Sequence, residues 1–302
     1  MKNLIFAATI FAAQPALAFD RMLLNDCLTS FENLAELIDP ENTDTPRRLR
    51  SIRATFDGWC EINGDSPGFE DATFDRLTWR TDDTALWTQQ GIPPMGLELR
   101  ITGLDPDTMQ NSAASNRPPV SIEGTIRQDP AAGQLIIEHA SMENDAGDSM
   151  TASAVFERVF LSSPSMMQVS AGSAAFKAGL VSMTLDGTYE NPFGFNVSVE
   201  VDGDENVLQA EAFQGISRLP TGVVNDAARA ELMAFAGDLP GPVGTLEVGL
   251  ASERGLGLMQ VGMSMYNSFA SVLNDGAEVE LDVLFDGVTI SADWSPRDTQ
   301  AD

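Results

Sequence analysis

The sequence predicts a mainly β protein, an antiparallel meander sheet or sheets with an N-terminal amphipathic helix and one or two later helices. Three observations lead there. Residues 277–294 alternate apolar and polar side chains about Asp286-Gly287, with Val279, Leu281, Val283 and Phe285 before the turn and Val288, Ile290 and Ala292 after it. A two-residue period belongs to a strand with one dry and one wet face, and Asp-Gly accepts the positive φ of a tight hairpin. Between residues 120 and 201, short alternating runs are cut by Gly, Pro, Asn and Asp. That punctuation fits consecutive antiparallel strands rather than βαβ units. Residues 20–39 instead carry Leu24, Cys27, Leu28, Phe31, Leu34, Ala35 and Ile38 at helical steps, between a capping Asp20 and a terminating Pro40.

The first 18 residues read as a signal peptide: Lys2, the apolar run at 4–13, and the small-x-small site Ala16-Leu17-Ala18. The mature chain is expected to begin at Phe19 and to be periplasmic or secreted. No apolar run is long enough for a transmembrane helix, so no transmembrane segment is expected. Residues 19–294 read as one β-rich domain and 295–302 as a loose tail. Two cysteines in an exported chain most simply pair. A Cys27–Cys60 bridge would close a loop of about 34 residues, contribute roughly 3–4 kcal/mol, and clamp the helix to the segment carrying Trp59. The formal net charge of −28 repels nucleic acid and anionic lipid headgroups, so no nucleic-acid partner is expected.

Taken in order, residues 52–62, 69–79, 86–87 and 97–101 supply strand material, and 103–119 is the longest loop signal. Strands are expected at 120–127, 134–142, 149–159, 167–176, 180–189 and 195–201, with Ser163-Pro164 among the turns. Helical spacing returns at 221–236 through Val224, Ala228, Leu232 and Phe235. Residues 245–250 and 256–261 read as strands, 263–274 as a short helix, and the 277–294 hairpin follows. A strand, an acidic-Gly turn and a second strand of alternating small and apolar residues recur at 133–156, 180–201, 245–261 and 277–294. This rhythm resembles that of the AsmA-like periplasmic β-proteins and related envelope proteins. The resemblance implies an envelope role with hydrophobic ligands, departs from that group in lacking a membrane anchor, and carries over no functional residue.

Candidate chemistry is sparse. Gly64-Asp-Ser-Pro-Gly68 spells Gly-x-Ser-x-Gly, but a nucleophile elbow needs a strand before the serine, a helix after it and an imidazole in reach. Pro67 and Gly68 favour a turn, and His139, the single histidine, sits in a strand pattern. One histidine and two paired cysteines cannot build a zinc site. In Asp202-Gly-Asp-Glu-Asn206 the calcium-loop glycine position holds Val207, and a hairpin turn accounts for the letters better. No metal or cofactor is expected. Arg47, Arg48, Arg50 and Arg53 form the only basic cluster, readable as an anchor for an anionic partner or as neutralisation of neighbouring acids. The methionines Met142, Met150, Met166, Met167, Met183, Met259, Met263 and Met265 read as core, as the lining of an adaptable apolar groove or as soft metal ligands, core being the leading reading. Met259, Met263, Leu281 and Phe285 are the residues expected to face a ligand. The leading expectation is an exported, non-catalytic envelope protein that binds or scaffolds and holds a lipid-like ligand or an envelope protein partner. The alternatives are a purely structural or surface-interaction protein and a serine hydrolase using Ser66 and His139.

Overall fold

The computed structural model describes residues 19–38, 49–66, 74–105, 118–187, 205–257, 285 and 287–297. Within them lies one ten-stranded sheet whose strands stand side by side in chain order, each antiparallel to its neighbours. The strands are β1 Arg53–Ala54, β2 Cys60–Asn63, β3 Arg76–Asp82, β4 Gly96–Leu104, β5 Val120–Asp129, β6 Gln134–Asn144, β7 Ser149–Glu157, β8 Ala175–Asp186, β9 Val243–Gly257 and β10 Val288–Pro296. The helices are α1 Leu24–Ile38, α2 Thr84–Gln90, α3 Pro164–Ser173, α4 Glu205–Arg218 and α5 Asp226–Gly237. The expected mainly β meander with an N-terminal helix is therefore the fold.

Residues directly opposite each other on antiparallel strands share a face. The register accordingly sets Leu77, Ile101, Ile122, Met142, Met150, Met183, Leu246 and Trp294 in one row across β3 to β10. The opposite face carries Thr78, Arg100, Glu123, Ser141, Thr151, Ser182, Glu247 and Asp293 in the adjacent row. The register shifts at several places, on β4 between Ile101 and Leu104 and on β9 between Ala251 and Leu256 among them, and on β6 and β8 a single extra residue does it. On β6, Thr125 faces His139 while Ile126 faces Ile137, leaving Glu138 unpaired. On β8, Val155 faces Ala178 while Phe156 faces Phe176, leaving Lys177 unpaired. An extra residue flips the side-chain alternation, so each bulge returns the apolar set to one face.

Both ends of the apolar face are covered. At the first, Met22, Cys27, Phe31, Ile52, Cys60, Ile62 and Trp79 form a buried cluster, with Leu77, Leu97 and Leu99 packed against it. Cys27 of α1 is bonded to Cys60 of β2. Trp79 donates its indole N–H to Ser30 Oγ at 3.0 Å, and Ser30 donates to the Cys27 carbonyl at 3.1 Å. No buried donor in that chain is left without an acceptor. At the far end, Val223, Val224, Ala228 and Val288 form a second cluster, and Leu208, Ala236 and Leu239 a third between α4 and α5.

The edges are closed too. β1 is only two residues long, while on β10 the Ile290 amide donates to the Val223 carbonyl at 2.8 Å and the Trp294 amide to Glu231 at 3.2 Å. A short first strand and an occupied last one leave little template for edge-to-edge pairing.

Several expected elements differ. Residues 167–176 are mostly helix α3 rather than strand: Ser163 accepts from the Met166 amide and Pro164 occupies the first turn, so the expected turn is a helix start. Leu86 and Trp87 lie in α2, not a strand. The expected hairpin turn ending at Val207 is overturned, because Glu205 opens α4, where Leu208, Ala212, Phe213 and Ile216 repeat at helical spacing. The helix expected at 221–236 begins five residues later, capped by Asn225, whose side chain accepts from the Ala228 amide. The strands at 245–250 and 256–261 are, over their described residues, one strand, β9. Where the Asp286-Gly287 turn was expected, the Val288 amide donates to the Phe285 carbonyl at 2.9 Å and Gly287 has φ 73, while Asp286 lies outside the described residues. β10 pairs with β9. The signal peptide, the strand at 195–201, the helix at 263–274 and the strand at 277–284 lie outside the described residues.

Replacing Cys27 by Ser is expected to lower unfolding stability in urea by about 2–5 kcal/mol. Thiol labelling of the untreated, unfolded protein should find no free cysteine, and two reactive thiols there would dissolve the clamp.

Candidate functional site

Between its two covered ends the apolar face is different in kind. On β5 to β8, Ile122, Met142, Met150, Met183, Ala140, Ala152, Ala154, Val181 and Phe156 are all half-buried, whereas Ile62, Trp79, Leu246 and Trp294 at the ends are buried. Side-chain size makes this middle a trough. Its floor is Gly124, Ala140, Ala152 and Ala154, with Ile126, Ile137 and Val181 standing in the same two rows. The Phe176 ring lies over Gly179, 3.0 Å from where a Cβ there would be. One bank is the methionine row Met142, Met150 and Met183, mutually opposite across three strands. The other is Leu135, Phe156 and Phe176, the two phenylalanine rings meeting edge to face at 5.8 Å. A Cβ added at Gly124 would meet nothing closer than 4.0 Å, so the floor is open there. Three interstrand steps make the trough about 14 Å long across the strands. Thioethers and ring edges are soft, polarisable surfaces that adapt to irregular apolar shapes.

The opposite face is charged at its first end. The guanidinium groups of Arg80 and Arg100 each stand 4.5 Å from the Trp59 ring centroid, and Arg80 is also 4.5 Å from that of Phe19. Glu98 accepts from Arg80 at 2.7 Å and from Arg100 at 2.9 Å. These cations are thus held by an aromatic ring and a shared carboxylate. Of the basic cluster, Arg53 stands opposite Glu61 in register, Arg50 is exposed on a 3-10 turn, and Arg47 and Arg48 lie outside the described residues. Glu61 itself pairs with Arg76, 3.8 Å away.

Of the residues expected to face a ligand, Phe285 packs against the cluster of Val223, Val224, Ala228 and Val288, away from the trough. Met259, Met263 and Leu281 lie outside the described residues. Three of the methionines do converge, and the register that joins them is what spacing along one strand cannot reveal.

Ser66 and His139 do not form a catalytic pair. Ser66 follows β2 and His139 lies on β6, so four interstrand steps separate the strands, about 19 Å of sheet. Ser66 is buried and its amide donates to the Asn63 carbonyl at 3.0 Å, while His139 is exposed. Gly64 has a packing reason: a Cβ there would lie 1.7 Å from the Phe74 carbonyl oxygen. Beside this turn runs an open polar groove of about 470 Å³ lined by Asn63, Asp65, Phe74, Asp75, Arg76 and Thr102, with neither a histidine nor a cysteine.

Among the described residues, two carboxyls are perturbed. The Thr55 hydroxyl, its own backbone amide and the nearby Arg80 and Arg100 hold Asp57 below the usual carboxylate range. Burial, then the charges of Asp20 and Asp83, push Asp82 up against the lowering effect of the Asp83 amide. Comparison with family models, curated proteins and solved structures finds no match to this chain.

Ser66→Ala is expected to leave the protein as inert in an esterase screen as the parent, and turnover abolished equally by Ser66→Ala and His139→Ala would contradict the strand geometry. Asp82 gives a pH test. Its folded pKa lies above the unfolded one, so the folded state favours the protonated form and its ionised form is a liability. Asp82→Asn should therefore raise the melting temperature at pH 7, with the gain vanishing below the ordinary value of 3.8. A gain that persists undiminished in acid would point to another cause.

Proposed function

We propose that this is an exported, non-catalytic envelope protein that binds or scaffolds, and that it holds a hydrophobic, lipid-like ligand in the trough of β5 to β8. The trough carries the reading: an apolar strip with a small-residue floor and methionine and phenylalanine banks, half-exposed between two covered ends. A strip about 14 Å long suits part of an acyl chain or a flat apolar ring system, and it offers no charged group to select a headgroup. Export is supported by the Cys27–Cys60 disulfide and by the leader-like first 18 residues; no helix of the described residues is long and apolar enough to cross a membrane.

Native mass spectrometry of freshly purified protein is expected to show a bound apolar molecule that organic extraction removes. After extraction, a hydrophobic fluorophore should bind the native state. Ala152→Leu, which raises the floor without adding charge, should weaken that binding while the far-ultraviolet circular dichroism stays unchanged. A native protein that binds no dye before or after extraction would have a closed face, and the purely structural reading would replace this one.

A further inference from the structure

Met142, Met150 and Met183 are consecutive partners in the ladder. Met142 stands opposite Met150 across β6 and β7, and Met150 opposite Met183 across β7 and β8. Directly opposed residues share a face and are nearest neighbours on it, so the three thioethers adjoin one another. The outer two are two interstrand steps apart, about 10 Å. Each sulfur sits two bonds beyond Cβ on an unbranched, flexible chain, so Met142 and Met183 reach the space over Met150 from either side. All three are half-buried, shielded by their neighbours yet still in contact with solvent.

The adjacent row carries a buried carboxylate. The Asn144 backbone amide donates to the Asp148 carbonyl at 3.1 Å, continuing the ladder one pair beyond Glu143 and Ser149. Asp148 precedes Met150 by two residues, so alternation puts it on the methionine face. It is only 2 % exposed, and its carboxylate accepts from the Asn144 side-chain amide at 3.1 Å and the Asp186 backbone amide at 3.0 Å. Both donors are neutral, and among the described residues no Arg or Lys pairs with it. Buried carboxylates are ordinarily paired with a cation or set beside a metal ion.

We infer that the methionine row binds Cu(I) through its three thioether sulfurs, with Asp148 as the counter-charge beside them. Thioether sulfur is a soft, neutral donor that selects Cu(I), whereas harder divalent ions seek imidazole or carboxylate. Among the described residues no group of three His, Cys, Asp or Glu gathers to hold such a harder ion. Both cysteines are committed to the Cys27–Cys60 bridge, so thioethers are the sulfur donors left. Unlike thiols, they neither pair in an oxidising compartment nor have to lose a proton before they ligate. Ala140 and Ala152, small and mutually opposite beside Met142 and Met150, leave room for the sulfurs to turn inward around an ion. This site needs only the methionine row, while an apolar occupant needs the whole strip, so either can exist without the other.

The test is titration of the purified protein, residues 19–302, with Cu(I) held reduced by ascorbate, in competition with a chromogenic Cu(I) chelator. A single ion per chain is expected, with a sulfur first shell in X-ray absorption at the copper edge. Met150→Leu, which conserves volume, should weaken binding roughly tenfold or more with the melting temperature preserved, and Asp148→Asn by roughly tenfold. His139→Ala and Met166→Leu should leave the affinity unchanged. Because no thioether proton is displaced, the affinity should hold from neutral pH down to about pH 5, where an imidazole site would lose its ion. A protein that retains no Cu(I), a folded Met150→Leu variant that binds like the parent, or a first shell without sulfur would overturn the site. Dye binding to the metal-free protein reads the apolar trough separately: dye without ion removes this site alone, and ion without dye keeps it.

Discussion

The structure depends on strand register. With ten antiparallel strands in chain order, a one-residue slip at any pairing would send the apolar side chains beyond it to the wet face. The cross-strand row from Leu77 to Trp294 survives because the unpaired residues at Glu138 and Lys177 restore parity where β6 and β8 lose it. Charged residues at both bulges are consistent with that role, since a bulge leaves its extra residue outside the ladder, where it can be solvated. Glu138 lies 2.8 Å from Arg127 and Lys177 donates to the Glu253 carbonyl at 2.7 Å, so each bulge is also tied to a neighbouring strand.

Register alone does not hold a meander together, because its ends remain the places where it can fray. The first end is held covalently and by α1. Cys27–Cys60 fixes the helix on β2, and the Asn33 side chain donates to the Trp87 carbonyl at 2.7 Å, tying α1 to α2 as well. The last end is held by packing and edge bonds: Trp294 meets Phe235 edge to face at 5.1 Å and donates its indole N–H to Asp238 at 2.8 Å. These two solutions cover the apolar face at its flanks. Among the described residues, the face of β5 to β8 that carries Met142, Met150 and Met183 rests on cross-strand contacts, and its side chains are half-buried.

How much of this was legible follows from which interactions are local. Alternation showed the strands at 120–127, 134–142 and 149–159, the last running two residues past β7, because burial on one face imposes its period on the sequence directly. The disulfide was legible from arithmetic on two cysteines. Helix α3 was misread because Met166, Met167 and Val169 suit either period, and Ser163-Pro164 marks a turn as well as it marks a helix start. Helix α4 was obscured by the acidic-Gly stretch just before it. The trough was not legible at all: Gly124, Ala140 and Ala152 belong to three strands, and nothing in one strand says which small residue will stand beside another.

That floor also argues about what the middle of the sheet is for. A helix packed across β5 to β8 would draw on large, interlocking side chains, as Trp79 and Phe31 do beneath α1, where their rings lie 6.1 Å apart. A face closed by such a helix with glycine and alanine at its centre would hold a void, and voids forfeit dispersion contacts on every wall. A small-residue centre is favourable where the covering surface fills the dip, and least costly when left open, because then only a little apolar area meets water. Met142, Met150 and Met183 are unbranched and flexible, so they can fold inward over the floor or lean away from it. The same property makes them poor choices for specifying one rigid core, so a methionine row flanked by small residues leaves the centre of the sheet less firmly specified than the ends, where Trp79 and Trp294 are fixed by hydrogen bonds.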